Sequence, residues 1–404
     1  MKKLMSVLLA LTMLLCTACG SKNTDSDADA TTPNIYTDIT GIAADTTVMT
    51  VGKLEISADL FFYWVNTIAK DAEQIYQQYA MYYGVYGSML NADGTLNWDA
   101  PYTQTMTVGD VIRAQAMEKL AFFVITESFA ESNGITLTDE DREKINATID
   151  QNLVTYRENL IQKDSAFADL TDEALEEKYF YNLGVDRDTV VRMMGVTYLR
   201  DAIVEQMLTE GSSMYITDEA YEDFAFYADH ILIATVDLST QRDLPADQIA
   251  EKKALAEEIL AVLQASNDLE TMFDDLADLH SEDTGRKAYP TGYVFTSGEM
   301  VAEFENAVKA LKPGELSGLV KSQFGYHIIL RRDLAEGLNA YPNEKAAMAE
   351  VYMTETINAI IANSSVSTSD ALVGIDLDDV YRAYMDRIGQ STASTSQNVE
   401  ITDK

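Results

Sequence analysis

Side chains able to do chemistry are few here, and each narrows the choices. The 404 residues hold three histidines, His230, His280 and His327, and two cysteines, Cys16 and Cys19. No cysteine follows Cys19. That excludes a disulfide framework, a Cys-rich zinc or iron–sulfur site, and a cysteine nucleophile in the folded body. Three scattered histidines make no metal motif, although carboxylates bind Ca²⁺ without them. No metal or cofactor is expected. His280, Ser281 and Asp283 are near neighbours in one turn. Three side chains so placed do not easily form the nucleophile–base–orienter geometry of a hydrolase.

Two kinds of region hold these groups. The first is helical. Met49 to Ser57 reads as a short strand or turn, with Ser57 as N-cap, and helices are predicted at about 58–83, 107–132, 138–161, 171–183 and 187–209. Thr138, Thr171 and Thr217 each stand before acids, which suits a helix N-terminus. Gly134, Gly184 and Gly211 fall where helices should stop. Tyr76, Tyr79, Tyr83 and Tyr86 recur at helical spacing. They read first as a core stripe, and second as an aromatic cradle for unfolded polypeptide.

The pattern changes near residue 228. Asp229 to Thr235 is a β-like run, and Pro245 opens an acidic helix through about 265 with Leu255, Ile259 and Leu263 on one face. A helix at about 270–280 follows, then a turn-rich stretch to Gly292. Val301, Phe304, Val308 and Leu311 mark another helix, and residues 325–330 a closing strand. The order β-α-α-β-α-β-β predicts a compact antiparallel α+β unit. Helical character returns at about 343–362 and 377–388. The expected fold class is therefore α+β, a helical domain with an inserted α+β domain.

At the amino terminus, Lys2 and Lys3 precede the apolar run Leu4 to Cys16, too short to span a membrane as a mature helix. Cys16-Thr17-Ala18-Cys19 resembles a bacterial lipobox, with cleavage before Cys19 and a diacylglyceryl group on its sulfur. The alternative is plain secretion. Two acyl chains give stable anchoring where one is marginal. Ser21 to Asn34 is small, polar and acidic, and reads as a tether.

Four ordered motifs carry a family resemblance. They are Ala228-Asp-His-Ile-Leu-Ile233, Leu276-Ala-Asp-Leu-His-Ser-Glu-Asp283, Phe295 to Phe304 (FTSGEMVAEF) and Phe324-Gly-Tyr-His-Ile-Ile329. With these, residues 228–333 resemble the parvulin family of peptidyl-prolyl cis-trans isomerases. The whole plan resembles the PrsA/SurA-type extracytoplasmic foldases. The resemblance implies that His230, Asp283 and His327 form a catalytic polar network. It also implies that Met300 and Phe304 bind the proline ring and that Ser322 stands beside the second histidine. The stretch Tyr289-Pro-Thr-Gly-Tyr293 departs from the family's Gly-Gly-x-Leu-Gly, with Gly292 where an apolar Leu lines the pocket.

On this reading the chain divides into a lipoprotein signal peptide (1–18), a lipidated Cys19 with a flexible tether (19–46), and a helical chaperone-like region (47–224). A parvulin domain (225–335), C-terminal helices packing on the helical region (336–388) and a disordered tail (389–404) follow. The expected protein is an isomerase and chaperone anchored on the extracytoplasmic face of a bacterial cell membrane. Its partners are unfolded or partly folded exported proteins with X–Pro segments. The competing reading is a holdase that uses the parvulin unit as an idle client platform. A solute-binding lipoprotein is disfavoured, because 58–210 lacks alternating βα units. Homodimerisation is left open.

Charge agrees with these expectations. There are 66 Asp+Glu against 29 Lys+Arg, a net of −37. Nucleic acid is excluded as a partner, since phosphate binding needs clustered bases. Residues 228–333 carry 10 Lys+Arg and 19 Asp+Glu, a net of −9, which leaves −28 of the −37 for the rest. The acidity belongs mostly to the helical region and tether, a surface suited to basic clients.

Overall fold

The computed structural model describes residues 34–389. The signal peptide, Cys19 and nearly all of the tail lie outside the described residues. In chain order the helices are α1 (Ile35–Thr40), α2 (Ala58–Tyr83), α3 (Val108–Ser132), α4 (Asp139–Lys163), α5 (Asp172–Leu183), α6 (Arg187–Leu208) and α7 (Asp218–Tyr221). They continue with α8 (Ala246–Gln264), α9 (Leu269–His280), α10 (Ala302–Ala310), α11 (Leu334–Ala340), α12 (Pro342–Ala362) and α13 (Leu377–Arg387). The strands are β1 (Thr47–Val51), β2 (Leu54–Ser57), β3 (Ala225–Ala234), β4 (Val236–Asp237), β5 (Arg242–Asp243), β6 (Tyr293–Thr296), β7 (Val320–Lys321), β8 (Gly325–Arg331) and β9 (Val366–Thr368). Among the described residues two compact units result, one of residues 34–203 with 355–389 and one of residues 204–354. No helix among the described residues is long and apolar enough to cross a membrane.

The helical unit is built by local rules that were legible beforehand. Thr138 caps α4 in a reciprocal box: its hydroxyl accepts from the Asp141 amide at 3.1 Å, and Asp141 accepts from the Thr138 amide at 3.0 Å. Thr171 caps α5 in the same way from the hydroxyl side. Thr217 precedes a helix of one turn only. The antiparallel sheet β2-β1-β9 joins residues 47–57 to 366–368.

Two expectations change in this unit. The tether was expected to run to residue 46, yet Ile35–Thr40 is a helix with Ile35 and Tyr36 buried. Asn34 makes it so: its side-chain oxygen caps the amides of Tyr36 and Thr37, and its amide nitrogen donates to the Gly184 carbonyl at 2.7 Å. The tyrosine stripe is not a core stripe either. Tyr76 is 6% exposed, but Tyr79, Tyr83 and Tyr86 are 41%, 71% and 40% exposed.

The second unit centres on a four-stranded antiparallel sheet in the order β6-β3-β8-β7. Together with α8, α9 and α10 it realises the α+β order expected from the sequence. Strand side chains alternate between faces. On one face Ile231, Ile233, Ile328 and Leu330 pack with Ile259, Leu263, Phe273 and Ala277 of α8 and α9. On the other, Phe226, Ala228 and Ile329 pack with Phe295 and with Phe304 and Val308 of α10. The unit extends beyond residue 335. Residues 336–388 were expected to pack on the helical region; residues 336–354 instead belong to this unit, with α11 on β3 and β6, while residues 355–388 fall in the helical unit. Leu334 and Leu338 are buried there, and Gly337 allows the close approach of Tyr227 and Val294.

Candidate active site

The pairing register brings the two histidines together. His230 on β3 lies opposite Ile329, and His327 on β8 lies opposite Leu232. The imidazoles therefore occupy a diagonal on one sheet face, within reach of each other. Their Nδ1 atoms are 3.4 Å apart and their ring centroids 5.1 Å apart. Phe304 of α10 meets both rings edge-on, at 5.2 Å from His230 and 5.7 Å from His327. Met300 is partly buried against the same apolar cluster. It sits in the turn before α10, which is held by Glu305 accepting from the Gly298 amide at 2.7 Å.

The polar partners form a chain. Ser322 is buried and its Oγ lies 2.7 Å from His327 Nε2. His230 Nε2 lies 3.3 Å from Asp283 Oδ2. The Tyr293 hydroxyl donates to that same Oδ2 at 2.5 Å, and the Gly285 amide donates to Asp283 Oδ1 at 3.2 Å. Burial opposes the charge of Asp283. The hydrogen bonds from His230 and Tyr293 outweigh it and bring its pKa down to about 2. Burial, with the neighbouring His230 charge, pushes His327 down to about 3. At neutral pH Asp283 is an anion and His327 is uncharged.

The tautomers follow from that anion when both rings are neutral. A carboxylate only accepts, so the His230 Nε2–H faces Asp283 across 3.3 Å. His230 Nδ1 then accepts from His327 Nδ1–H, and His327 Nε2 accepts from the Ser322 hydroxyl. All donors from Ser322 to His230 point toward Asp283, and Tyr293 meets the same oxygen from the other side.

Every site residue expected from the sequence, His230, Asp283, His327, Met300, Phe304 and Ser322, falls within this cluster. His280 ends α9 and is not part of it. Sequence reasoning missed Tyr293, although the departure at 289–293 was its signal. The Tyr289 ring lies 5.0 Å from the Tyr293 ring, and the Tyr289 hydroxyl donates to Glu344 at 3.1 Å. A Cβ at Gly285 would overlap the Tyr293 hydroxyl. Gly292 has φ +109°, and a Cβ there would come within 2.6 Å of the Ala228 carbonyl oxygen. The position where the family pattern suggested a pocket-lining Leu has no room for one.

Also missed was the support beneath the site. Asp229, 2% exposed, accepts from Arg286 Nη1 on both oxygens at 3.0 Å. Arg332 approaches it at 3.4 Å and also binds Asp274, and Arg286 binds Asp278 at 2.8 Å. This network ties the turn after Asp283 to the strand that carries His230.

A family model of the PPIC-type peptidyl-prolyl isomerase (rotamase) domain matches residues 230–333. Residues 230–333 are thus similar to a PPIC-type peptidyl-prolyl isomerase domain. The foldase protein PrsA 1 of Bacillus cereus is 54% identical over 66 residues, 16% of this chain and 23% of that protein. The foldase protein PrsA of Staphylococcus aureus is 29% identical over 254 residues, 62% of this chain and 71% of that one. The chain is thus similar to PrsA foldases well beyond residues 230–333. Among solved structures, PrsA from Bacillus cereus matches 71% of this chain at 21% identity with a TM-score of 0.27. PrsA from Bacillus subtilis matches 76% at 19% identity with a TM-score of 0.23.

Proposed function

We propose that this isomerase is a membrane-anchored, extracytoplasmic chaperone that assists the folding of exported proteins. The observation that carries the catalytic part is the joining of His230, Asp283 and His327 into one chain beside Phe304. An X–Pro bond faces a barrier of about 18–20 kcal/mol because rotation breaks amide resonance. The uncatalysed step takes tens to hundreds of seconds. Catalysis needs no bond to the substrate. Met300 and Phe304 hold the proline ring in an apolar setting, which favours the twisted amide that has lost its resonance. The histidine pair, oriented by Asp283 and Ser322, supplies a fixed polar field to the carbonyl oxygen and imide nitrogen as charge shifts between them.

The test is isomerisation of an X–Pro peptide by the full chain, read by a protease that cleaves only the trans form. His327→Ala should lower kcat/KM by about a hundredfold, the scale of removing one aimed polar group from a transition state. Unchanged turnover would remove the histidine pair from the mechanism.

Anchoring rests on Lys2, Lys3, the apolar run and the small residues before Cys19. Cys19→Ser should release the protein from the membrane fraction in a bacterial host and abolish labelling by a fatty-acid analogue. Labelling that persists in Cys19→Ser would move the modification elsewhere.

A further inference from the structure

The end of α2 and the loop after it expose an aromatic surface that the isomerase site does not use. Met81, Tyr82 and Tyr83 are 76%, 69% and 71% exposed, and Tyr79, Val85 and Tyr86 are also open to solvent. Apolar surface gathered this way marks an interaction site more often than chance. The rings are organised. Tyr79 lies 5.4 Å from Tyr83 and 5.9 Å from Tyr86, and Tyr86 lies 5.7 Å from Tyr76. Tyr86 holds a left-handed backbone, φ +62°, which is unfavourable for any residue with a Cβ. That cost places its ring against Tyr76 and Tyr79.

Charge selects the occupant. From Asp71 to Ile112 there is no Lys or Arg, while Asp71, Glu73, Asp93, Asp99 and Asp110 are all acidic. Asp93, Asp99 and Asp110 are exposed. Gln77 donates to the Gly94 carbonyl at 2.8 Å, so the stretch bearing Asp93 lies against the tyrosine-bearing helix. Tyrosine faces attract guanidinium and ammonium groups, and the exposed carboxylate of Asp93 beside the helix adds to that field even with Arg382 in its neighbourhood. An acidic or purely aliphatic segment gains nothing from that carboxylate.

We infer that the Tyr79–Tyr86 surface is a docking site for unfolded polypeptide segments that combine arginine or lysine with apolar side chains. This rests on the chaperone reading above and names its client chemistry. It places client capture on the helical unit, apart from proline turnover.

The test uses the full-length protein and a fluorescent disordered peptide of arginine, leucine, serine and glycine. A second peptide carries glutamate in place of each arginine. The basic peptide should bind at least about tenfold more tightly, and salt should erase much of the difference. Tyr79→Ser/Tyr82→Ser/Tyr83→Ser should weaken the basic peptide by about tenfold, the sum of a few exposed ring–cation contacts. The same variant should turn over a short X–Pro peptide at the wild-type rate. Asp93→Asn should reduce the preference for the basic peptide and leave every ring in place. Equal binding of both peptides, or a triple variant that binds like wild type, overturns the inference. So does a surface that serves instead to pair two copies, seen as a dimer in sedimentation that the triple variant alone dissolves. If aggregation of a denatured protein is still suppressed in those cases, the chaperone reading survives and only the client assignment falls. If neither peptide binds and aggregation is not suppressed, both fall.

Discussion

In residues 204–354 the buried carboxylate of Asp229 meets two guanidinium groups, Arg286 and Arg332. In the helical unit the buried carboxylate of Glu73 meets the Leu96 amide at 2.8 Å, beside Tyr381. Burial raises the pKa of Glu73, and of Asp59 in the same unit. The isomerase unit thus keeps charge inside by pairing it, and the helical unit by neutral donors. The difference suits the proposed functions: a site acting by a fixed field would need its charges held, whereas a scaffold presenting rings to solvent would need only its loops pinned.

Removing a member of the paired set should have the largest effect. Asp229→Ala leaves Arg286 and Arg332 buried without their shared partner, and should cost the isomerase unit about 3–5 kcal/mol in chemical denaturation. A loss below about 1 kcal/mol would mean the arginines find other partners and would erase the contrast.

Tyr293→Phe removes one donor to an anion without creating a cavity. It should lower kcat/KM by about tenfold, since a hydrogen bond to a charged group is worth about 1.5–3 kcal/mol. The acid limb of the pH profile should move up as Asp283 becomes easier to protonate, while Asp229, His230, Tyr289 and Glu344 still surround the site. An unmoved profile would make Tyr293 a packing residue only.

Acid should separate the two units. His327 titrates near 3 when folded, against an ordinary value of 6.5. Between those values the unfolded chain binds a proton that the folded one refuses. Stability of the isomerase unit therefore falls as pH drops from about 6.5 toward 3, by at most about 1.4 kcal/mol per pH unit. Asp283, held near 2 against 3.8, adds a further loss below 3.8. All three histidines lie in residues 204–354, so the helical unit has none to respond. Glu73 and Asp59 work in the opposite sense, because groups raised by folding favour the folded state as pH falls. Unfolding followed at several pH values by hydrogen exchange should show the isomerase unit weakening first, and His327→Gln should flatten its slope. Parallel weakening of both units would refute the assignment.

The smallest effect is expected where the side chains are open. Tyr82→Ser should change stability by less than about 0.5 kcal/mol, as exposed substitutions do. A larger thermal shift would show that the rings hold the helical unit together and are not free for a partner.

Much of this protein was legible before its structure. Helix α2 was expected at 58–83 and is found at Ala58–Tyr83, because its apolar spacing and the glycine after it are local signals. The Thr138 box and the order of strands and helices at 225–331 are local in the same sense. The expected site residues other than Ser322 came from four motifs, each a short run around one or two of them. Contacts between distant segments were not. His230 and His327 are 97 residues apart in sequence, and only the β3–β8 register decides that they touch. The hold of Tyr293 on Asp283, the pairing of Asp229 with Arg286 and Arg332, and the closed space around Gly292 exist only once the sheet and turn come together. So does the exposure of the tyrosines after Tyr76. Helical spacing sets which side chains share a face, but what that face meets depends on segments far along the chain.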